Sequence, residues 1–201
     1  MSVMEPPEYA DVRRDFLAAL GEAIVAWNQA ENVLRNLLLT LCGGSPASYV
    51  LTADLSSQGI IDGLKAISPT QTIEVCEAVS AVCKYYERIR AYRNYYVHGI
   101  IALGWNTTTK IGSGLINTSS SKGKLAFHME QIETDKLAQL REWANTLMKA
   151  AGAIIDVANP QAGSFADPTL PTAQTLVPPV TLQKKAHFPL NDPQSPQIGA
   201  A

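Results

Sequence analysis

Histidine and cysteine are scarce here: 201 residues contain three of each. Cys42, Cys76 and Cys83 are odd in number and show no CxxC spacing, and His98, His128 and His187 share no ligand spacing with them. No metal cluster is expected from that set, and the cysteines read as small buried hydrophobes among apolar neighbours. Charge is also thin: charged residues are 17% of the chain and the formal net charge is −2. Such a balance speaks against broad, charge-driven binding to nucleic acid or acidic membranes, although a local basic patch doubled by dimerisation fits within it. No apolar run approaches the ~18 residues of a membrane span. The opening "MSVMEPPEYADVRRD" has no apolar signal-peptide core, so a cytoplasmic protein without membrane attachment is expected. A GxSxG elbow, a GxxxxGK[ST] phosphate loop and an HExxH pair are all missing, which sets aside those chemistries and leaves no cofactor implied.

Against these absences, the hydrophobic fraction of 46% suffices for a core, and the length suits one domain with an extension. Phe16, Leu20, Ile24, Trp27, Leu34, Leu38 and Leu41 recur at helical spacing, and "CGGSP" ends that first helix with Gly43 suited to a left-handed cap. A shorter helix fits Ser56 to Ile67. Thr70 or Thr72 then caps a third that runs to His98 and closes at Gly99. Beyond it, "GIIALGW", "TKIGSGLIN" and "KLAFHME" are β-rich runs separated by turn compositions, which predicts a small hairpin or three-stranded meander over about 99–130. Thr134 and Asp135 start a last helix that ends before "NP" at Asn159. The expectation is an all-α, antiparallel up-and-down bundle of about four helices occupying 1–158, with the β insert before its last helix. Eight of the twelve prolines fall between Pro160 and Pro196. Residues 159–201 therefore read as an extended or disordered tail, whose "TLVPPVTL" and "HFPL" are candidate docking stretches for a protein partner.

The third helix ends strangely. In "ERIRAYRNYYVHG", residues 87 to 99, Val75, Val79, Val82, Tyr86, Ile89 and Val97 all fall within roughly 40° of Arg93 at about 100° per residue. Arg93 thus lies mid-stripe, while Asn94 and His98 are neighbours on the flank, four residues apart. A guanidinium on an apolar stripe needs an anionic partner or water, and Glu31, which interrupts the first helix's stripe between Trp27 and Leu34, is the expected partner. The helix C-terminal dipole favours protonated imidazole at His98. Tyr85, Tyr86, Tyr92, Tyr95 and Tyr96 read first as packing residues, with base stacking open to one or two of them.

"RNYYVHG" resembles the R-x4-H signature of HEPN domains (higher eukaryotes and prokaryotes nucleotide-binding), including the polar residue after the arginine. The layout of helices over about residues 8–158 resembles that family too. The resemblance implies a helical bundle that homodimerises and brings two motifs into one cleft, and an activity as a metal-independent endoribonuclease of defence or stress response, some members being toxins. It implies His98 as general acid-base group, Arg93 as the cation on the phosphorane and Asn94 as the group orienting phosphate or imidazole, with Glu31, Arg90 and Tyr95 in support or substrate contact. Ile100 stands where toxins silenced by nucleotide transfer carry tyrosine, which argues against that pairing. Two other readings stay open: a non-catalytic HEPN-like module that binds a nucleotide or protein partner, and an unrelated helical adaptor acting through its proline-rich tail.

Overall fold

The computed structural model describes residues 7–97, 100–106, 110–121, 124–132, 134–160 and 169–179. Helix α1 runs Pro7–Leu41. It stops because Gly43 and Gly44 take φ of +87° and +63°, the left-handed region that glycine enters without strain. The Gly44 and Gly43 amides then donate back to the Leu39 and Thr40 carbonyls, both at 3.0 Å, closing the helix end with a Schellman motif.

Pro46 does more than follow that stop. Ser45 accepts from the Ser48 amide and Pro46 takes the first turn of a short helix, α2, Pro46–Ala53, which the sequence reading passes over. Helix α3, Ser57–Ile67, is capped by Ser56 and followed by a 3₁₀ turn at Ser68–Thr70. Helix α4, Ile73–Val97, begins at Thr72, whose Oγ1 accepts from the Val75 amide at 3.4 Å; of the two threonines it is the cap. His98 and Gly99, the expected end of this helix, lie outside the described residues. The backbone next runs through three antiparallel strands in the order β1-β2-β3: β1, Ile100–Asn106; β2, Lys110–Ser121; and β3, Lys124–Ile132. Their register sets Leu103 opposite Ser113 and Ile116 opposite Met129. Helix α5, Thr134–Ala158, completes the order.

The protein is mostly helical, as the apolar periods require. Phe16, Tyr96, Leu137 and Leu140 share one buried cluster, while Leu41, Val75 and Ile154 belong to a second, larger one. Helix α4 is therefore antiparallel to α1 and α5, which run parallel to each other. The expected up-and-down order thus does not hold for α1 and α5, the return between α1 and α3 being made by α2. Helix α3 lies close on α1 at Gly63, where an added Cβ would come within 2.9 Å of Leu38 Cδ2. On its other side it meets α4, through Lys65 to Glu87 and through Gln58 to Arg90. No helix among the described residues is long and apolar enough to cross a membrane.

Two further expectations change. Cys83 is buried and Cys76 partly so, but Cys42 is exposed, because the helix end at Gly43 carries it out of the stripe. Part of the proline-rich tail also belongs to the fold. Thr172 and Thr175 hydrogen-bond to each other's backbone and hydroxyl groups in a turn, and Leu176 N donates to Thr172 O at 2.8 Å. That turn delivers Leu176, 4% exposed, into the large core cluster, with Leu170 packed against it. Leu176 of "TLVPPVTL" thus docks on its own chain, while Val180, Leu182, Phe188 and Leu190 lie outside the described residues.

Candidate functional site

Helix α3 shields one flank of α4 only part of the way down. It starts at Ser57, and the Gln58–Arg90 contact marks the limit of its cover. Arg93 and Asn94 follow one turn further along α4 and are half-buried for that reason.

Opposite them on α1 stands Trp27, 1% exposed. The Arg93 guanidinium carbon lies 5.8 Å from the Trp27 ring centroid, within cation–π range. Arg93 Nη1 also donates to Asn94 Oδ1 at 3.1 Å, so the amide turns its carbonyl to the guanidinium. On the same indole, Tyr86 packs with ring centroids 5.3 Å apart and planes tilted by 32°. The Tyr86 hydroxyl in turn donates to Glu31 Oε1 at 2.9 Å. Arg93, Trp27, Tyr86 and Glu31 thus form a continuous run across the α1–α4 seam.

Glu31, expected beside Arg93, bonds to Tyr86, whose hydroxyl is the group that reaches its carboxylate. The reason is axial distance. Tyr86 and Arg93 share a stripe of α4 but stand two turns apart, about 10 Å at 1.5 Å per residue. Across an antiparallel pair, Glu31 meets the earlier of them and Trp27, one turn back on α1, meets the later. A half-buried carboxylate accepts a neutral phenol at modest desolvation cost, and the cation lies over an aromatic face.

The other candidates are also placed. Arg90 is half-buried and donates to Gln58 Oε1; Gln58 Nε2 donates to Asp62 Oδ1 at 2.8 Å. Tyr95 is half-buried and stands edge-on to Tyr96 at 5.4 Å, while Tyr92 does the same to Trp143 at 4.9 Å. Tyr85, Tyr86 and Tyr96 are buried, so packing is the role of those three. His98 lies outside the described residues. Trp27, Tyr86 and Gln58 are contributors that sequence reasoning took for core or passed over; the available signal was the polar interruption of each stripe, one turn from Trp27 and two from Tyr86. Among the described residues no three His, Cys, Asp or Glu side chains converge as a metal site would require.

Trp27 carries one unmet group, since its buried Nε1 has no hydrogen-bond partner. An orphan donor of this kind costs about 1–3 kcal/mol.

Burial also sets the acid chemistry nearby. It pushes the Cys83 thiol from 9.0 up to about 12. It also raises the Tyr86 phenol, helped by the Glu31 carboxylate and opposed by Ser57 and Arg90, and it raises the Tyr85 phenol against a hydrogen bond with Thr146. Each acid holds its proton more firmly folded than unfolded. Their contribution is fully present below the unfolded pKa values and is lost as pH climbs from about 9 towards 12. The urea midpoint is expected to stay level from about pH 7 to 8.5 and fall above about 9, since thiols and phenols ionise in that range in the unfolded chain. In the same protein, a thiol reagent at neutral pH should modify Cys42 quickly and Cys83 only on unfolding. A midpoint that rises above pH 9, or equal labelling of the two thiols in the native state, would contradict this account.

The chain matches no protein-family model, no curated protein and no solved structure.

Proposed function

We propose that the chain is a HEPN-type endoribonuclease, acting without a metal ion through Arg93, Asn94 and His98 in a cleft between two copies, in defence or stress response within the cytoplasm. The observation that carries the reading is the Arg93–Asn94 bond near the C-terminal end of α4, with the guanidinium laid on Trp27 and partly accessible. Held in that way, a planar cation has a fixed direction, and its fork of donors suits the non-bridging oxygens of a phosphodiester.

RNA supplies its own nucleophile. In this reading a base takes the proton of the 2′-hydroxyl, the O2′–P bond forms, the P–O5′ bond breaks and the departing 5′-oxygen receives a proton. The products are a 2′,3′-cyclic phosphate and a 5′-hydroxyl end. His98, four residues beyond Asn94, is the proton-transfer group, and Arg93 stabilises the charge that builds on the phosphorane. Arg90 and Tyr95 border the site as substrate contacts. Leu17 and Val25, exposed on α1 with Gly21 between them, are apolar surface available to the second copy.

The test is cleavage of single-stranded RNA in EDTA by the wild type and by His98→Ala, with the mass in solution read by light scattering. Wild type should cut with chelator present. The variant should lose about 100-fold or more, the range for a removed acid-base group, while keeping its unfolding midpoint. Equal cleavage by both proteins removes His98 from the mechanism, and a monomeric mass at the cleaving concentration removes the dimer.

A second reading has one observation in its favour: Arg93 rests on a core tryptophan, as a structural clamp in a non-catalytic nucleotide- or partner-binding module would. Wild type that cuts no RNA but binds a nucleotide selects that reading.

A further inference from the structure

Tryptophan at position 27 is a poor choice if its task is only to fill space. Its indole is buried among Tyr86, Ala30 and Leu34, yet the ring N–H has no partner, a burden that phenylalanine would not impose. What indole offers over a phenyl ring is the more negative face, the best of the three aromatic residues for holding a cation. That face is occupied by the Arg93 guanidinium, 5.8 Å from the centroid, while Tyr86 lies 5.3 Å from the same ring. Tyr86 is itself anchored by its hydroxyl on Glu31. The ring is therefore in contact with an anchored phenol and with a cation.

We infer that Trp27 is a positioning residue for Arg93: its face, held by the Glu31–Tyr86 hydrogen bond, sets the direction of the guanidinium near the C-terminal end of α4. The inference rests on the ribonuclease reading for its consequence in catalysis, but the geometry of the contact stands by itself and is measurable without activity. Trp27 touches no substrate in this scheme, being buried, and acts through Arg93 alone. Arg93 can swing over a wide arc on its long side chain, so a fixed direction matters more than mere presence. Glu31 takes a different part from the one its sequence position suggests. It steadies the aromatic stack through the Tyr86 hydroxyl.

Opposite responses of stability and function separate positioning from packing. Trp27→Phe keeps an aromatic core residue and removes the orphan donor. Its melting temperature should stay within a few degrees of wild type, while kcat for RNA cleavage falls about 3- to 10-fold at little changed KM, the loss expected when a cation is aimed less well at a charge that develops in the transition state. Tyr86→Phe, which frees Glu31 from the stack, should shift kcat in the same direction by a smaller factor.

Should the wild type cut no RNA, the positioning is still tested by NMR of the arginine side chains, with the Arg93 Nε–Hε signal assigned from its loss in Arg93→Lys. In wild type that proton should be shifted upfield by the indole ring current and protected from exchange. In Trp27→Leu, provided its other amide signals show the native fold, it should move to the position of an exposed arginine. A Trp27→Phe protein with wild-type kcat, or an Arg93 signal unmoved by Trp27→Phe and Trp27→Leu alike, overturns the inference. Absent cleavage with a shifted Arg93 signal overturns only the ribonuclease reading.

Discussion

Arg93→Ala is expected to reduce RNA cleavage by about 100- to 1,000-fold, the effect of deleting one fixed donor to a developing oxyanion. The fold should barely notice. Arg93 is half-buried near the C-terminal end of α4, and its loss removes a cation–π contact with Trp27 of roughly 0.5–2 kcal/mol. Asn94 Oδ1, left without its donor, is near enough to solvent to take water instead. Arg93→Lys is the informative companion. It keeps the charge but loses the planar fork, so if direction is what the site provides, lysine should recover only part of the rate. Wild-type rates from Arg93→Ala, with cleavage still dependent on this protein and insensitive to EDTA, would mean that the phosphate is held elsewhere. Full activity in Arg93→Lys would show that charge alone suffices.

Leu176→Ala is expected to cost about 2–5 kcal/mol, as the removal of a buried leucine does. In a protein of this size that lowers the melting temperature by on the order of 10 °C. The forecast is unusual for a residue in a stretch where prolines dominate and no helical period is present. It follows from position: Leu176 is 4% exposed in the same cluster as Trp27, Tyr86 and Ile154. Its neighbour Val177 is 69% exposed, which makes Val177→Ala a matched control, with an expected change within about 0.5 kcal/mol. Equal melting of the two variants would separate residues 169–179 from the core and return the tail to the role that its composition suggests.

Much of the scaffold was legible because helix formation is largely local. Leu137, Leu140, Ala144, Leu147, Ala151 and Ile154 recur at the helical period, and all are buried along α5. Caps are local as well: Gly43 ends α1 and Thr72 starts α4 through bonds to residues within a few positions. Helix α2 was missed because eight residues give little room for a period to appear. Its apolar residues Tyr49, Val50 and Leu51 are consecutive and exposed, so no buried face was there to be read.

What the chain determined by itself is which residues become helices and which side of each is apolar, since both depend on neighbours three and four positions away. It also marked Arg93 and Glu31 as polar interruptions in two such faces. The pairing of those interruptions was left to the tertiary structure. Helices α1 and α4 settle into one axial offset, and that offset gives Glu31 to Tyr86 and Arg93 to Trp27. The same is true of Leu176, which is buried because a turn far along the chain brings it to a core formed by others. A helical period constrains rotation about the axis but not translation along it, so the partner across a seam is decided by how whole helices pack.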